Sequence, residues 1–175
     1  MAKSSLREFQ EGILFKLKQA AEQGETVSTS RLGVTVGSKK LLIHLSDVRE
    51  VLPMPSVLAV PLTQPWFLGV ANVRGNLYNI TDLAHFIGLP ATKKSSNSRI
   101  VLLSSEITTQ AALMIDSLVG LRNIEVMQAK VTPDSAHGSA FLSQQSFEDA
   151  EGNEWFELDV GALVQDKVFI QPTLI

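Results

Sequence analysis

The chain has few residues equipped for covalent chemistry, and their spacing is poor for it. His44, His85 and His137 are its only histidines, and it has no cysteine. No histidine has an i, i+4 partner or zinc-type spacing, so the pattern predicts no metal site. Asp134, Ser135 and His137 supply the residue types of a hydrolase triad. They are neighbours in one loop, and a triad needs groups brought together and oriented by a scaffold. No glycine loop of the phosphate-cradling kinds is present. No carboxylate pair sits in an apolar context that would drive two pKa values apart. The expectation is a protein without catalytic activity and without a cofactor.

One stretch offers binding chemistry instead: Gly69-Val70-Ala71-Asn72-Val73-Arg74-Gly75-Asn76-Leu77-Tyr78-Asn79-Ile80-Thr81-Asp82-Leu83. Two strand-like runs flank Gly75-Asn76, and glycine accepts the positive φ that a tight hairpin turn needs. Arg74 lies beside that turn, where a guanidinium can project to a partner or brace a carboxylate through its five donors. Asn72 is placed to bond nearby backbone. Asp82 is placed to cap the short helix that begins at Leu83. Gly75 is first of all a turn residue.

The elements that must position these residues follow from the periodicity. Leu6, Phe9, Ile13, Leu17 and Ala20 recur at helical steps, predicting an amphipathic helix over 4–23 that stops at Gly24. From Leu32 the period becomes two, with a turn at Gly37-Ser38 and a hairpin buried on one face. Residues 46–52 read as a helical turn ended by Pro53 and Pro55. Val57–Val60 reads as a short strand, 83–87 as a short helix and 91–98 as an exposed loop. Apolar runs at 100–103 and 111–115 read as buried strands, and Gly120 as a bulge in the extended stretch after them. Residues 132–139 form a loop. A hairpin joins 141–147 to 155–158, and Asp159 caps a last short helix. The tail from 169 to 175 is either loose or laid on the body.

Many short strands at close spacing predict a mainly-β protein, and two small barrels hide strand edges better than one wide sheet. The divisions expected are 1–30 as helix and link, 31–165 as the globular domain and 166–175 as a tail. Hydrophobic residues at 45 % indicate a folded core. A net charge of -3, a pI near 5.6 and only 6 % aromatics argue against nucleic acid as a partner. No run is apolar for long enough to insert in a membrane, and the lack of cysteine fits a cytoplasmic location.

The pattern Gly69-x-x-Asn72-x-Arg74-Gly75 followed by Asp82-Leu83 resembles the signature of CheW-like domains, the coupling proteins of bacterial chemosensory systems. Leu45–Leu52, Ala112–Gly120 and Trp155–Asp159 resemble further segments of that family, over about residues 31 to 165. With Pro65-Trp66 and the N-terminal helix added, the likeness is strongest to the members that serve type IV pili and twitching motility. The resemblance implies two five-stranded SH3-like β-barrels with short connecting helices and no catalysis. It also implies two partners. One is the tip of a methyl-accepting chemoreceptor, here PilJ-like, and the other is the regulatory domain of a CheA-type histidine kinase, here ChpA-like. Such a protein is recruited to membrane-anchored receptor arrays. The family's central arginine falls on Arg74, its asparagine on Asn72, its turn glycine on Gly75 and its aspartate on Asp82. Asn79 stands where proline is frequent in the family, and Ser117 where a basic residue is frequent. The rival reading is a small barrel that binds a ligand or an oligonucleotide. That reading requires Trp66, Phe67, Tyr78 or Trp155 exposed on a basic surface.

Overall fold

The computed structural model describes residues 29–131 and 139–174. The helix predicted over 4–23, and Asp134, Ser135 and His137, lie outside the described residues.

Alternating β-formers and tight turns produce eleven strands among the described residues. β1 (Ser30–Val36) and β2 (Lys39–His44) form the expected hairpin about Gly37, whose φ is 57°. A 3-10 turn at Leu45–Asp47 leads into β3 (Val48–Pro53). The helical turn predicted for 46–52 is therefore mostly strand. Val48 and Val51 are buried positions of β3, and Pro53 is tolerated because β3 is an edge strand. β4 (Phe67–Val73) and β5 (Asn76–Asp82) are the hairpin of the motif, followed by α1 (Leu83–Phe86). Next come β6 (Arg99–Leu103), β7 (Ala111–Ile115), β8 (Ser117–Asn123), a 3-10 turn at Ile124–Val126 and β9 (Gln128–Val131). β10 (Leu142–Glu148), β11 (Glu154–Leu158), α2 (Val160–Gln165) and α3 (Lys167–Ile170) complete the described chain.

The strands form two sheets. One has six strands in the order β8-β1-β2-β11-β10-β9, and the other five in the order β3-β6-β7-β5-β4. The mainly-β, two-sheet architecture is as expected, with β9 as a sixth strand on the first sheet. Gly120 lies at a bulge, since Gly33 pairs with Gly120 while Val34 pairs with Leu118 and skips Val119. The predicted strand at 57–60 reduces to one bridge between Leu58 and Val70.

The central strands of both sheets bury side chains on both faces, as in a sheet that curls on itself. Leu32, Val34, Leu41 and Ile43 meet Leu83, Val101, Leu103, Leu113 and Ile115 in a core shared between the sheets. The outer face of the first sheet buries Leu42, Phe147 and Trp155 in a small separate cluster. That of the second buries Ala71, Tyr78, Ile80, Ile100 and Met114. The run Leu41-Leu42-Ile43, completely buried, is thus apolar throughout because both its faces are covered. The one-faced burial expected of this hairpin was too little.

The C-terminal segment lies on the body. Thr173 bridges Thr63, and Phe169 stacks on Trp66 at 6.5 Å and meets Phe86 edge-on at 5.4 Å.

Candidate functional site

The turn between β4 and β5 is made by Arg74 and Gly75, one residue earlier than the sequence suggested. Both have positive φ, 52° and 86°. Two consecutive left-handed residues match the right-handed twist of a two-residue hairpin. Gly75 meets this demand without a Cβ, and a Cβ there would touch nothing within 4 Å, so conformation alone selects glycine. Arg74 bears the cost of a side chain in that region. Asn72 holds the turn by accepting a 2.9 Å hydrogen bond from the Gly75 N–H on its side-chain oxygen.

Arg74 projects from the turn with its side chain 67 % exposed, and its fork closes on Glu50. Nη1 donates to Oε2 at 2.8 Å and Nη2 to Oε1 at 2.6 Å, a bidentate pair. Glu50 belongs to β3, and Arg74 follows β4; these are the two edge strands of the five-stranded sheet. The pair therefore spans the seam of that sheet. Two further links cross nearby. Arg49 of β3 donates to the Tyr78 hydroxyl of β5 at 3.1 Å, and Leu58 and Val70 exchange backbone bonds of 2.8 and 2.9 Å. The internal bracing foreseen for Arg74 thus runs within one sheet.

Asp82 lies at the other end of β5 and is 2 % exposed. Its carboxylate accepts from the His85 N–H, as a helix cap, and from the Thr92 N–H and hydroxyl at 2.8 and 2.6 Å. It pins the exposed loop carrying Lys93 and Lys94 to the sheet. Arg74, Asn72 and Gly75 are thus together at one surface, and Asp82 acts from inside. At Asn79 the backbone N–H, which a proline would lack, donates to the Gln110 carbonyl at 2.9 Å.

Sequence reasoning missed the apolar residues around the turn. Leu58 is 71 % exposed and Leu77 57 %. Leu77 pairs with Asn72, and Leu58 with Val70 two residues before Asn72. Directly paired residues share a face and alternation returns to it after two, so Leu58, Val70, Asn72 and Leu77 lie on one face beside Arg74, opposite the face that buries Ala71 and Tyr78.

The groups that other readings need are placed elsewhere. Trp66, Tyr78 and Trp155 are buried and Phe67 is half-buried, so they do not form the exposed aromatic platform of an oligonucleotide binder. Among the described residues no group of three His, Cys, Asp or Glu side chains is arranged to hold a metal ion. No helix among them is long and apolar enough to cross a membrane.

Compared with known proteins, residues 31–168 match the CheW-like domain family. Over 106 residues, 61 % of this chain, 32 % are identical to Protein PilI of Pseudomonas aeruginosa. Over 102 residues, 58 % of this chain, 26 % are identical to Chemotaxis protein CheW of Helicobacter pylori. These alignments span 59 % and 60 % of the two relatives' own lengths. The crystal structure of scaffolding protein TtCheW from Thermoanaerobacter tengcongensis superposes with a TM-score of 0.67. It is 18 % identical, and the match covers 79 % of this chain and 94 % of that one, a likeness of fold.

Proposed function

The chain belongs to the CheW-like domain family, and from that premise we propose that it is a non-enzymatic adaptor that couples a methyl-accepting chemoreceptor to a CheA-type histidine kinase. Its likeness to PilI supports placing it in the system that controls type IV pili and twitching motility. The partners are then a PilJ-like receptor tip and the CheW-like regulatory domain of a ChpA-like kinase. The protein works in the cytoplasm, on arrays that the receptors anchor.

The observation that carries this reading is the face formed by Leu58, Val70, Asn72 and Leu77 next to the braced Arg74 turn. A rigid, partly apolar strand face with an arginine at its rim has the composition of a protein-binding hot spot. Arg74, Asn72 and Gly75 present the turn, and Asp82 keeps it in place by holding the far end of β5. Coupling requires that receptor and kinase contacts differ between two kinase states, since an adaptor that binds both states equally shifts neither.

Calorimetric titration tests this, with a receptor signalling-tip fragment and a kinase regulatory domain as separate titrants. The wild type binds both, and Leu77→Asp, on an exposed strand position, weakens at least one of them tenfold or more without altering the urea midpoint. Binding of neither at tens of micromolar, about -6 kcal/mol at 1 M standard state, would sink the adaptor reading.

A further inference from the structure

The crossover from β3 to β4 carries Leu58, and the C-terminal segment lies against it. No residue from Val51 to Val73 is charged, so backbone bonds and packing must hold the crossover without ion pairs. Within it Pro61-Leu62 makes a turn. Proline followed by a residue of positive φ is the pattern of a type II turn, whose second central position favours glycine. Here that position is Leu62, with φ 60°. Leu62 is 66 % exposed, so burial does not offset the strain of a left-handed leucine.

The turn is held from outside by the C-terminal segment. The Leu174 N–H donates to the Leu62 carbonyl at 2.9 Å, and the Gln64 N–H donates to the Pro172 carbonyl at 2.6 Å. These bonds flank the Thr63–Thr173 bridge and fix the backbone on both sides of Thr63. The Thr63 hydroxyl closes the turn itself by donating to the Val60 carbonyl at 2.8 Å. The segment has a firm base. Asp166 caps α3 by accepting from the Val168 and Phe169 N–H groups at 2.9 and 3.1 Å. Phe169 then packs on Trp66, which is buried and whose carbonyl accepts from the Asp82 N–H at 2.8 Å. The tail is thus anchored at Phe169 and fastened again at Leu174, over the strained turn.

Leu58 lies four residues before Leu62. β3 fixes one end of the crossover and Trp66 the other, so a change of direction at Leu62 falls on the stretch between, where Leu58 is held by its two backbone bonds to Val70. We infer that Pro172–Leu174 is a strap that positions Leu58. Its two backbone bonds hold the crossover on the strained path that Leu62 would otherwise leave, and so keep Leu58 on the face with Val70, Asn72 and Leu77. The strap's service to binding rests on the adaptor reading, since that face is the one proposed to meet a partner.

Hydrogen exchange in the full chain tests the strap without any partner. Leu174→Pro removes the N–H that holds the Leu62 carbonyl, and Leu174→Ala keeps it. Expected is exchange at least tenfold faster at the Leu58, Gln64 and Val70 amides in Leu174→Pro, with Leu174→Ala and the amides of β6 and β7 unchanged. In a Leu62→Gly background, where positive φ carries no strain, Leu174→Pro accelerates Leu58 and Val70 less than threefold. A chain ended after Gln171 lacks both strap bonds and serves as the second variant should Leu174→Pro leave the Gln64 amide protected. Leu58 and Val70 unchanged while Gln64 is released overturns the inference, and so does equal acceleration in both backgrounds. Titration of the same variants with the receptor-tip fragment and the kinase domain keeps the two readings apart. Released Leu58 with at least fivefold weaker binding supports both. Released Leu58 with unaltered affinity leaves the strap standing and removes this face from the adaptor reading.

Discussion

Gly69 and Leu58 meet backbone against backbone. Gly69 has φ 133°, and a Cβ built on it would stand 2.0 Å from the Leu58 carbonyl oxygen. This contact lets the chain after β3 reach β4 and join the two edges of the five-stranded sheet. Gly69→Ala must push that crossing segment away while holding a conformation few side chains adopt. The expected loss is about 3 kcal/mol or more, combining strain and overpacking, read as a lower urea midpoint. Gly75→Ala is the matched control. It has positive φ but open space, and costs about 1–2 kcal/mol.

Arg74 and Glu50 are tied at an exposed position, so their coupling in a double-mutant cycle on folding stability is small, about 0–1 kcal/mol, and shrinks in high salt. Arg74→Gly separates the two roles of this residue. It relieves the left-handed strain that Arg74→Ala retains, so the glycine variant is the more stable of the two by about 1 kcal/mol. Equal stability would mean that the turn stores no strain. Both variants lose partner affinity alike if the guanidinium itself is what the partner meets.

Asp82 is buried with three hydrogen bonds, two of them from Thr92. Asp82→Ala leaves the Thr92 donors unpaired and removes the α1 cap, costing about 2–4 kcal/mol. Hydrogen exchange locates the damage. Amides of residues 92–98 and His85 lose protection, while those of β1 and β2 keep theirs. Uniform loss over both sheets would contradict a local role.

Asp149 has its carboxyl pulled down to about 2, chiefly by the Trp155 indole N–H and then by the Asn153 and Glu151 amides. A folded pKa below the unfolded value of about 3.9 gives stability that is full above pH 4 and lost as the pH falls through 2. The wild type is therefore more stable than Asp149→Asn at pH 5, and the gap closes between pH 4 and 2. Urea titrations at pH 5, 3 and 2 measure it. A gap unchanged at pH 2 would show that geometry and not charge holds the turn.

Short-range chemistry was legible in the sequence and long-range pairing was not. Asn72, Gly75 and Asp82 do locally what their types suggest: a side-chain bond three residues on, a positive φ, a helix cap. Arg74 shows the limit. Its partner Glu50 is 24 residues away on the opposite edge strand, and no spacing rule links the two. The helical turn read at 46–52 failed because Val48 and Val51 also fit a helix face, and short apolar runs do not distinguish the periods. One-faced burial at Leu41–Ile43 failed because the second cover comes from Phe147 and Trp155, more than a hundred residues on.

The strand order of the two sheets fixes a sequence of events during synthesis. β3 to β7, the whole five-stranded sheet, occupy one unbroken stretch from Val48 to Ile115. The six-stranded sheet is split around it, and β2 acquires its inner neighbour only when β11 arrives, Lys40 pairing with Trp155. On the ribosome the inserted sheet is complete first, and β1 and β2 emerge early but wait for β11. During that interval the apolar run Leu41-Leu42-Ile43 has lost one of its two covers. A chain stalled or cut before Trp155 leaves a half-built hairpin with a sticky edge, so the arrival of β11 is the step that closes this edge against other chains.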